Sequence, residues 1–239
     1  MHSNRYSAFW NLFFPARCCC CGELTEARAL ICQTCLAELP HIPLDSCRQC
    51  GQSRKSCECS RINMLFSGIA VPFYNQGVAQ TGVYALKMQQ RLDNAQFFGI
   101  CMAERFSAQF ADVKPDFITA VPMERRKQRR VGFNHAEVLA KIMAKRLKIP
   151  YNGRLLKKKK GGIVGQHSLT YRERMRHVQD MFSAQGDLQG KTILLVDDIR
   201  TTGATLNACT KQLLLAGADA VYCATALLSN KYEKKQKDG

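Results

Sequence analysis

The sequence predicts an α/β fold, a mainly parallel sheet flanked by helices, with a small N-terminal cysteine-rich metal module ahead of it. Three observations predict this. Ten of the thirteen cysteines fall between Cys18 and Cys59. From about Ser67 onward, short apolar strands alternate with amphipathic helices, the pattern of a parallel sheet with crossover helices. One of those strands runs into two adjacent acids and a threonine-rich turn. At 239 residues the chain suffices for one medium core plus an appendage, so the expected division is a module over 1–62 and a larger α/β domain over 63–239.

Composition narrows the function classes. Lys and Arg total 35 against 19 Asp and Glu, a formal charge of +16. That excess favours a polyanionic partner or several phosphate groups. No apolar run approaches the roughly 20 residues that span a bilayer, and a protein without a transmembrane segment is expected. The aromatic patch Phe9, Trp10, Phe13 and Phe14 is broken by Asn11 and has no small-residue cleavage site after it. It therefore reads as packing on the neighbouring module rather than as a secretory signal, with shallow membrane-surface contact as the alternative.

The cysteines come as Cys18-x-x-Cys21, Cys32-x-x-Cys35, Cys47-x-x-Cys50 and Cys57-x-Cys59. A Cys-x-x-Cys turn faces two thiolates toward one ion while backbone amides donate to the sulfurs, and two such turns complete a tetrahedral zinc site. Gly22 and Gly51 follow such turns and supply left-handed backbone. Two zinc ribbons in series are expected. One ion sits on Cys18, Cys21, Cys32 and Cys35 and one on Cys47, Cys50, Cys57 and Cys59, because so short a segment has no core without metal. The tighter Cys57-x-Cys59 leaves interleaved ligation open, and Cys19 and Cys20 leave the register open. Cys101, Cys209 and Cys223 lie in apolar contexts and read as core. The basic residues Arg48, Arg54, Lys55 and Arg61 would add nucleic-acid contacts only if they share a face.

Along the remainder, 67–74 reads as a strand, 77–90 and 93–110 as helices, and 117–121 as a buried strand stopped by Pro122. Between Ala136 and Leu147, Leu139, Ile142, Met143 and Leu147 share one helical face. A second buried strand is expected over 192–196, a helix over 203–216 ended by Gly217, and a last strand over 220–226 before a Lys-rich tail that frays.

The decisive stretch is Ile193-Leu194-Leu195-Val196-Asp197-Asp198-Ile199-Arg200-Thr201-Thr202-Gly203-Ala204-Thr205. An apolar strand delivers two carboxylates to the end of the sheet where open α/β folds bind ligands, and carboxylates there accept hydrogen bonds from vicinal hydroxyls. The following turn presents backbone N–H groups and small hydroxyls at a helix start, which suits a phosphate monoester. This stretch resembles the phosphoribosyl pyrophosphate (PRPP) signature of type I phosphoribosyltransferases. The resemblance implies a type I phosphoribosyltransferase-like fold, with Asp197 and Asp198 on the ribose hydroxyls and Thr201, Thr202, Gly203, Ala204 and Thr205 around the 5′-phosphate. Arg125 and Arg126 follow the strand 117–121 in a run where five of six residues are basic. By the same resemblance they face pyrophosphate, with magnesium bridging phosphate and ribose oxygens.

The order of the cysteines, Tyr84-Ala85-Leu86-Lys87, Val121-Pro122, Arg125-Arg126, Gly132-Phe133-Asn134-His135-Ala136, Gln166 with Leu169, Arg172 and the acid pair resembles the ComF family across nearly the whole chain. Two positions depart from the family pattern, Val131 before the glycine and His135 in place of glutamine; a one-residue shift would let Arg130 substitute. The family resemblance implies a competence protein needed for natural transformation, handling single-stranded DNA in the cytoplasm at the inner face of the inner membrane, with a helicase or an inner-membrane channel as further partners. Lys157, Lys158, Lys159 and Lys160, with Gly161 and Gly162, fall where type I enzymes carry a mobile catalytic loop. Together with Lys87, Arg129, Arg130 and Arg172 they are candidate phosphate or DNA contacts. Phe133, Tyr151 and Tyr171 lie among the basic residues as candidate base-stacking groups, with core packing the blander reading. Two other functions compete: a working phosphoribosyltransferase of nucleotide metabolism, and an adaptor docking through its zinc ribbons. No element of the sequence reads as recognising an acceptor base.

Overall fold

The computed structural model describes residues 16–26, 29–57, 59, 63–88, 91–159 and 181–229. The N-terminal aromatics, Arg61, Lys160, Gly161, Gly162, Gln166, Leu169, Tyr171 and Arg172 lie outside the described residues.

The sheet is built around two nine-residue strands, β6 (Thr192–Arg200) and β7 (Ala220–Leu228). Ile193 to Val196 are wholly buried, as a strand covered on both faces by other elements requires; burying such a side chain contributes roughly 1.5–3 kcal/mol. β3 (Phe117–Ala120) pairs with one edge of β6, and β7 pairs with the other. On the far edge of β7 lie β1 (Gly68–Ala70) and β2 (Phe73–Tyr74), end to end. All these pairings are parallel, giving the order β1 and β2, β7, β6, β3. The single strand expected over 67–74 is thus two, interrupted at Val71 and Pro72, where proline has no N–H to give the ladder.

Helices α2 (Gly77–Met88), α3 (Leu92–Gln109) and α5 (His135–Leu147) cover one face, with Phe98, Met102, Leu139 and Met143 fully buried. Helix α6 (Ala204–Leu215) and the antiparallel hairpin of β4 (Leu156–Lys158) with β5 (Phe182–Ala184) cover the other. The short helix α1 (Gln33–Ala37) belongs to the cysteine segment, and α4 (Arg125–Val131) follows β3. The basic run that follows the strand is therefore helical. None of its side chains is buried, and Gly132, at φ +91°, ends it in left-handed backbone.

The cysteine segment joins both cores. Cys18, Cys19, Cys20, Cys35 and Leu39 pack with the helical face that includes Phe98 and Met102. Ile42, Cys50, Met64 and Phe66 pack with the opposite face. Between the two, Arg105 of α3, only 7% exposed, donates to the carbonyls of Ile42 and Pro43 and to Ser46 Oγ, each at 2.7 Å. One guanidinium thus fixes the connecting chain through three directed bonds.

Candidate functional site

The acids do not follow the strand, as the 192–196 boundary implied, but lie inside it. β6 runs on to Arg200 because β7 continues alongside, pairing Asp197 with Thr225 and Arg200 with Leu228. On its other edge β3 stops at Ala120, opposite Val196. The ladder therefore opens on one side where the carboxylates begin, at the carboxyl end of the sheet, where open α/β folds bind ligands.

Asp198 N–H donates to Asp197 Oδ1 at 2.9 Å. Lys87 Nζ from the last turn of α2 lies 2.9 Å from Asp198 Oδ1, with the two side chains only 24% and 16% exposed. Burial first, and then the adjacent Asp198 charge, push the Asp197 carboxyl well above the usual carboxylate range. The pair thus meets its own repulsion in two ways: Lys87 counters one charge, and the other acid resists ionisation. His135 is at the start of α5 and 4% exposed. Burial lowers its imidazole below the ordinary value, with the Asp198 charge opposing that effect.

Beyond the acids, Gly203 adopts φ +79° and caps α6, a conformation L side chains rarely hold. Thr201 and Thr202 are exposed, Thr202 Oγ1 accepts the Ala204 N–H at 3.3 Å, and the helix proper begins at Ala204. This is an open turn of small residues at the N-terminus of a 12-residue helix, beside two carboxylates. It combines groups that hold a phosphate with groups that accept from hydroxyls.

The other expected contacts divide. α4 starts five residues beyond β3, so Arg125, Arg126, Arg129 and Arg130 belong to the same end of the sheet as the acids, and all four are exposed. Lys157 and Lys158 are in β4, and Lys159 N–H donates to the Met181 carbonyl at 2.8 Å. These three lysines are therefore held in a hairpin rather than a free loop: the ladder to β5 and the burial of Leu156 and Phe182 anchor them. Lys157 Nζ donates to Gln185 at 3.0 Å, and Lys158 lies over the Phe182 ring at 5.9 Å. Phe133 and Tyr151 pack against the core. The sequence names Asn134 and His135 only within a family pattern, without a role; Asn134 Nδ2 donates to the Val121 carbonyl at 2.9 Å while its Oδ1 caps α5 through the Ala136 N–H. An Asn directly before a helical run was the available signal.

In the cysteine segment, the sulfurs of Cys18, Cys21, Cys32 and Cys35 lie within 4.8 Å of one another, as do those of Cys47, Cys50, Cys57 and Cys59. Tetrahedral zinc with bonds of about 2.3 Å separates its sulfurs by about 3.8 Å. Cys21 and Cys32 are 3.8 Å apart, Cys50 and Cys57 3.7 Å, Cys47 and Cys59 3.5 Å. Backbone N–H groups of Cys20 and Cys35 approach Cys18 and Cys32 sulfurs at 3.4 Å. Burial opposes ionisation of Cys18, but the N–H groups of Cys32, Cys21 and Cys20 outweigh it and lower its thiol. The donor sets fit two zinc ions. Cys19 and Cys20 are buried side by side outside the tetrads.

Sheet order, acid pair and hydroxyl turn define a type I phosphoribosyltransferase-like fold. A family profile described as Phosphoribosyl transferase domain matches residues 134–239. The chain is 32% identical over 107 residues to DNA utilization protein YhgH of Escherichia coli, covering 45% of this chain and 47% of that protein; it thus spans about half the length of that relative. It is 25% identical over 221 residues to Competence protein F of Haemophilus influenzae, covering 87% and 95% of the two chains. It is also 25% identical to Competence protein ComFC of Bacillus subtilis, over 83% of each. Over most of its length the chain is thus similar to these competence proteins, and its C-terminal part to the phosphoribosyl transferase domain.

Proposed function

We propose that this chain is a competence protein that handles single-stranded DNA in the cytoplasm during DNA uptake and carries a PRPP site. The observation that carries the reading is the Asp197–Asp198 pair beside the Thr201–Thr205 turn at the open end of β6. In it the acids accept from the ribose 2′- and 3′-hydroxyls, and the turn amides and the α6 N-terminus hold the 5′-phosphate. Magnesium would be held by oxygens of the ligand together with the acids, and would neutralise pyrophosphate charge; Arg125 and Arg126 add cations at the same end. The two zinc ions would serve the fold.

The DNA half rests on charge and on the relatives' names. Exposed Arg125, Arg126, Lys127, Arg129 and Arg130 on α4, with Lys157 and Lys159, form basic surface that suits a phosphate backbone, with salt-sensitive and sequence-tolerant binding. Among the described residues no helix is long and apolar enough to cross a membrane, so contact with an inner-membrane channel or a helicase would be peripheral.

A second reading, an active phosphoribosyltransferase, is favoured by the profile match over the acid pair. There the bond from the anomeric carbon to pyrophosphate breaks as an acceptor nitrogen bonds to that carbon and gives its proton to solvent. Positioning and charge neutralisation suffice, without a protein nucleophile.

The deciding experiment incubates the zinc-loaded protein with PRPP and magnesium, with and without single-stranded DNA or free bases, and follows binding by calorimetry and pyrophosphate release. Binding without release is expected, lost in the Asp197→Ala, Asp198→Ala double variant. Unchanged affinity in that variant would refute the site, and steady pyrophosphate release would establish the second reading. Gel shifts giving equal affinity for single strands and duplex would remove the DNA half.

A further inference from the structure

The peptide leading from the second cysteine tetrad into the sheet is gripped from both sides. Gln49 lies inside the Cys47–Cys50 turn. Its Nε2 donates to the Phe66 carbonyl and approaches the Met64 carbonyl at 3.5 Å. From the opposite side Asn207 of α6 accepts the Leu65 N–H on Oδ1 and donates from Nδ2 to the Asn63 carbonyl, both at 3.0 Å. The Met64 carbonyl and the Leu65 N–H belong to one peptide unit, so a residue of the cysteine turn and a residue of α6 hold its two edges.

Asn207 is also one turn into the helix that starts at the hydroxyl turn, and its backbone N–H donates to the Gly203 carbonyl at 2.9 Å. A second route runs beside the first. Met64 Sδ is 3.9 Å from the buried Arg200 guanidinium, and a side chain at Gly203 would meet Arg200 Nε at 3.4 Å. The peptide over 63–66 therefore touches the turn through Asn207 and through Arg200, and touches the cysteine turn through Gln49.

We propose that Gln49 and Asn207 are positioning residues coupling the second cysteine centre to the Thr201–Thr205 turn, so that zinc on Cys47, Cys50, Cys57 and Cys59 and a phosphoribosyl ligand on the turn strengthen each other's binding. The inference rests on the reading of that turn as a phosphate site. Metal closes the Cys47–Cys50 turn and so fixes where Gln49 stands; Gln49 and Asn207 then fix the start of α6 against the linker, and with it the direction of the amides that meet phosphate. Coupling of this kind is reciprocal: the factor by which zinc improves ligand affinity is the factor by which ligand improves zinc affinity.

The test uses the full, zinc-loaded chain and the variants Asn207→Ala, Gln49→Leu and both together. Calorimetry gives the PRPP dissociation constant with magnesium, and a chromophoric chelator reports the rate of zinc loss with and without PRPP. Two directed bonds to backbone groups set the scale, a weakening of about 5- to 30-fold in Asn207→Ala. Gln49→Leu, remote from the ligand, is expected to weaken PRPP in the same direction, and the double variant to lose less than the product of the single losses. PRPP is expected to slow loss of one of the two zinc equivalents in the wild type and not in the variants. If Asn207→Ala fails to fold, Gln49→Leu decides alone. Wild-type binding with variant affinities within about twofold, and zinc loss indifferent to PRPP, overturns the coupling and leaves the phosphate reading standing. A wild type that takes up no PRPP overturns both.

Discussion

Asp197→Asn isolates the charge of the partly buried acid from its shape. Burial, and then the neighbouring Asp198 charge, push the Asp197 carboxyl up to about 8, whereas an aspartate in an unfolded chain titrates near about 3.9. Between those values the folded protein holds a proton that the unfolded chain has released. The stability this contributes is complete below the unfolded value, falls as pH rises through the window, and levels off above the folded value. Each pH unit inside the window removes up to about 1.4 kcal/mol. From about pH 6 to about pH 9 the full effect approaches 3 kcal/mol, and solvent at the open strand end trims it to about 1–3 kcal/mol. Asparagine carries no charge and still offers Oδ1 to the Asp198 N–H, now at 2.9 Å. The Asn variant should therefore gain on the wild type by about 1–3 kcal/mol across that range, while losing affinity for PRPP. Urea unfolding of both proteins at fixed free zinc measures the difference, and the pH dependence of the thiolates cancels between them. Stability curves that stay parallel from about pH 6 to about pH 9 would show that Asp197 is not a strained, partly protonated acid.

Arg105→Met keeps the apolar stem and removes three 2.7 Å bonds to Ile42, Pro43 and Ser46; a loss of about 3–5 kcal/mol is expected in chemical denaturation, and less than about 1 kcal/mol would mean that the connecting chain holds its place without the clamp. Lys87→Met breaks the 2.9 Å pair with Asp198 and should cost about 1–3 kcal/mol near neutral pH, most of it recovered when Asp198→Asn is added; a double variant as unstable as the sum of the singles would place Lys87 outside the acid cluster. Neutralising exposed Arg129 and Arg130 on α4 should lower the slope of log affinity for single-stranded DNA against log salt by about 0.7 per lost contact, and an unchanged slope would move the DNA path off this helix.

Much of the fold is legible in the sequence because its parallel strands are buried on both faces and read as short apolar runs, with Ile193 to Val196 the clearest. The helix at 135–147 is legible from the stripe of Leu139, Ile142, Met143 and Leu147. Boundaries fail where pairing rather than composition decides them: the two acids remain in β6 because β7 runs alongside, which nothing local to Asp197 announces. The same limit hid the hairpin, since Lys157 and Lys158 look like solvated charge and are strand residues only through Ser183 and Phe182 across the ladder. The acids and the hydroxyl turn are local in sequence, so the stretch that holds them is legible there. Lys87 entered only as one phosphate candidate among several, because its partner Asp198 lies 111 positions away, 198 − 87. Gln49 and Asn207 carry no chemistry of their own that a motif would flag; their contacts at long sequence separation make them visible.

The change in composition near residue 62 marks a change in local chemistry rather than a gap in packing. A ribbon of eight thiols has too little apolar surface for a core of its own, and metal on the two tetrads would supply part of what is missing. The sheet supplies the rest: Cys18, Cys19, Cys20 and Cys35 sit among the residues of one core and Cys50 among those of the other. Packing holds in the reverse direction too. Gly51 leaves room that Ile69, Val71 and Leu228 occupy at 3.2 to 3.7 Å from where a side chain would begin, so β1 and the end of β7 close against the second cysteine turn. Ile69 N–H donates to the Arg48 carbonyl at 2.8 Å, extending the edge of the sheet into that turn. An edge strand of three residues has few partners of its own and would otherwise present unpaired backbone to solvent. The cysteine turn covers this edge, and metal held there would therefore brace the sheet whose far end holds the acids.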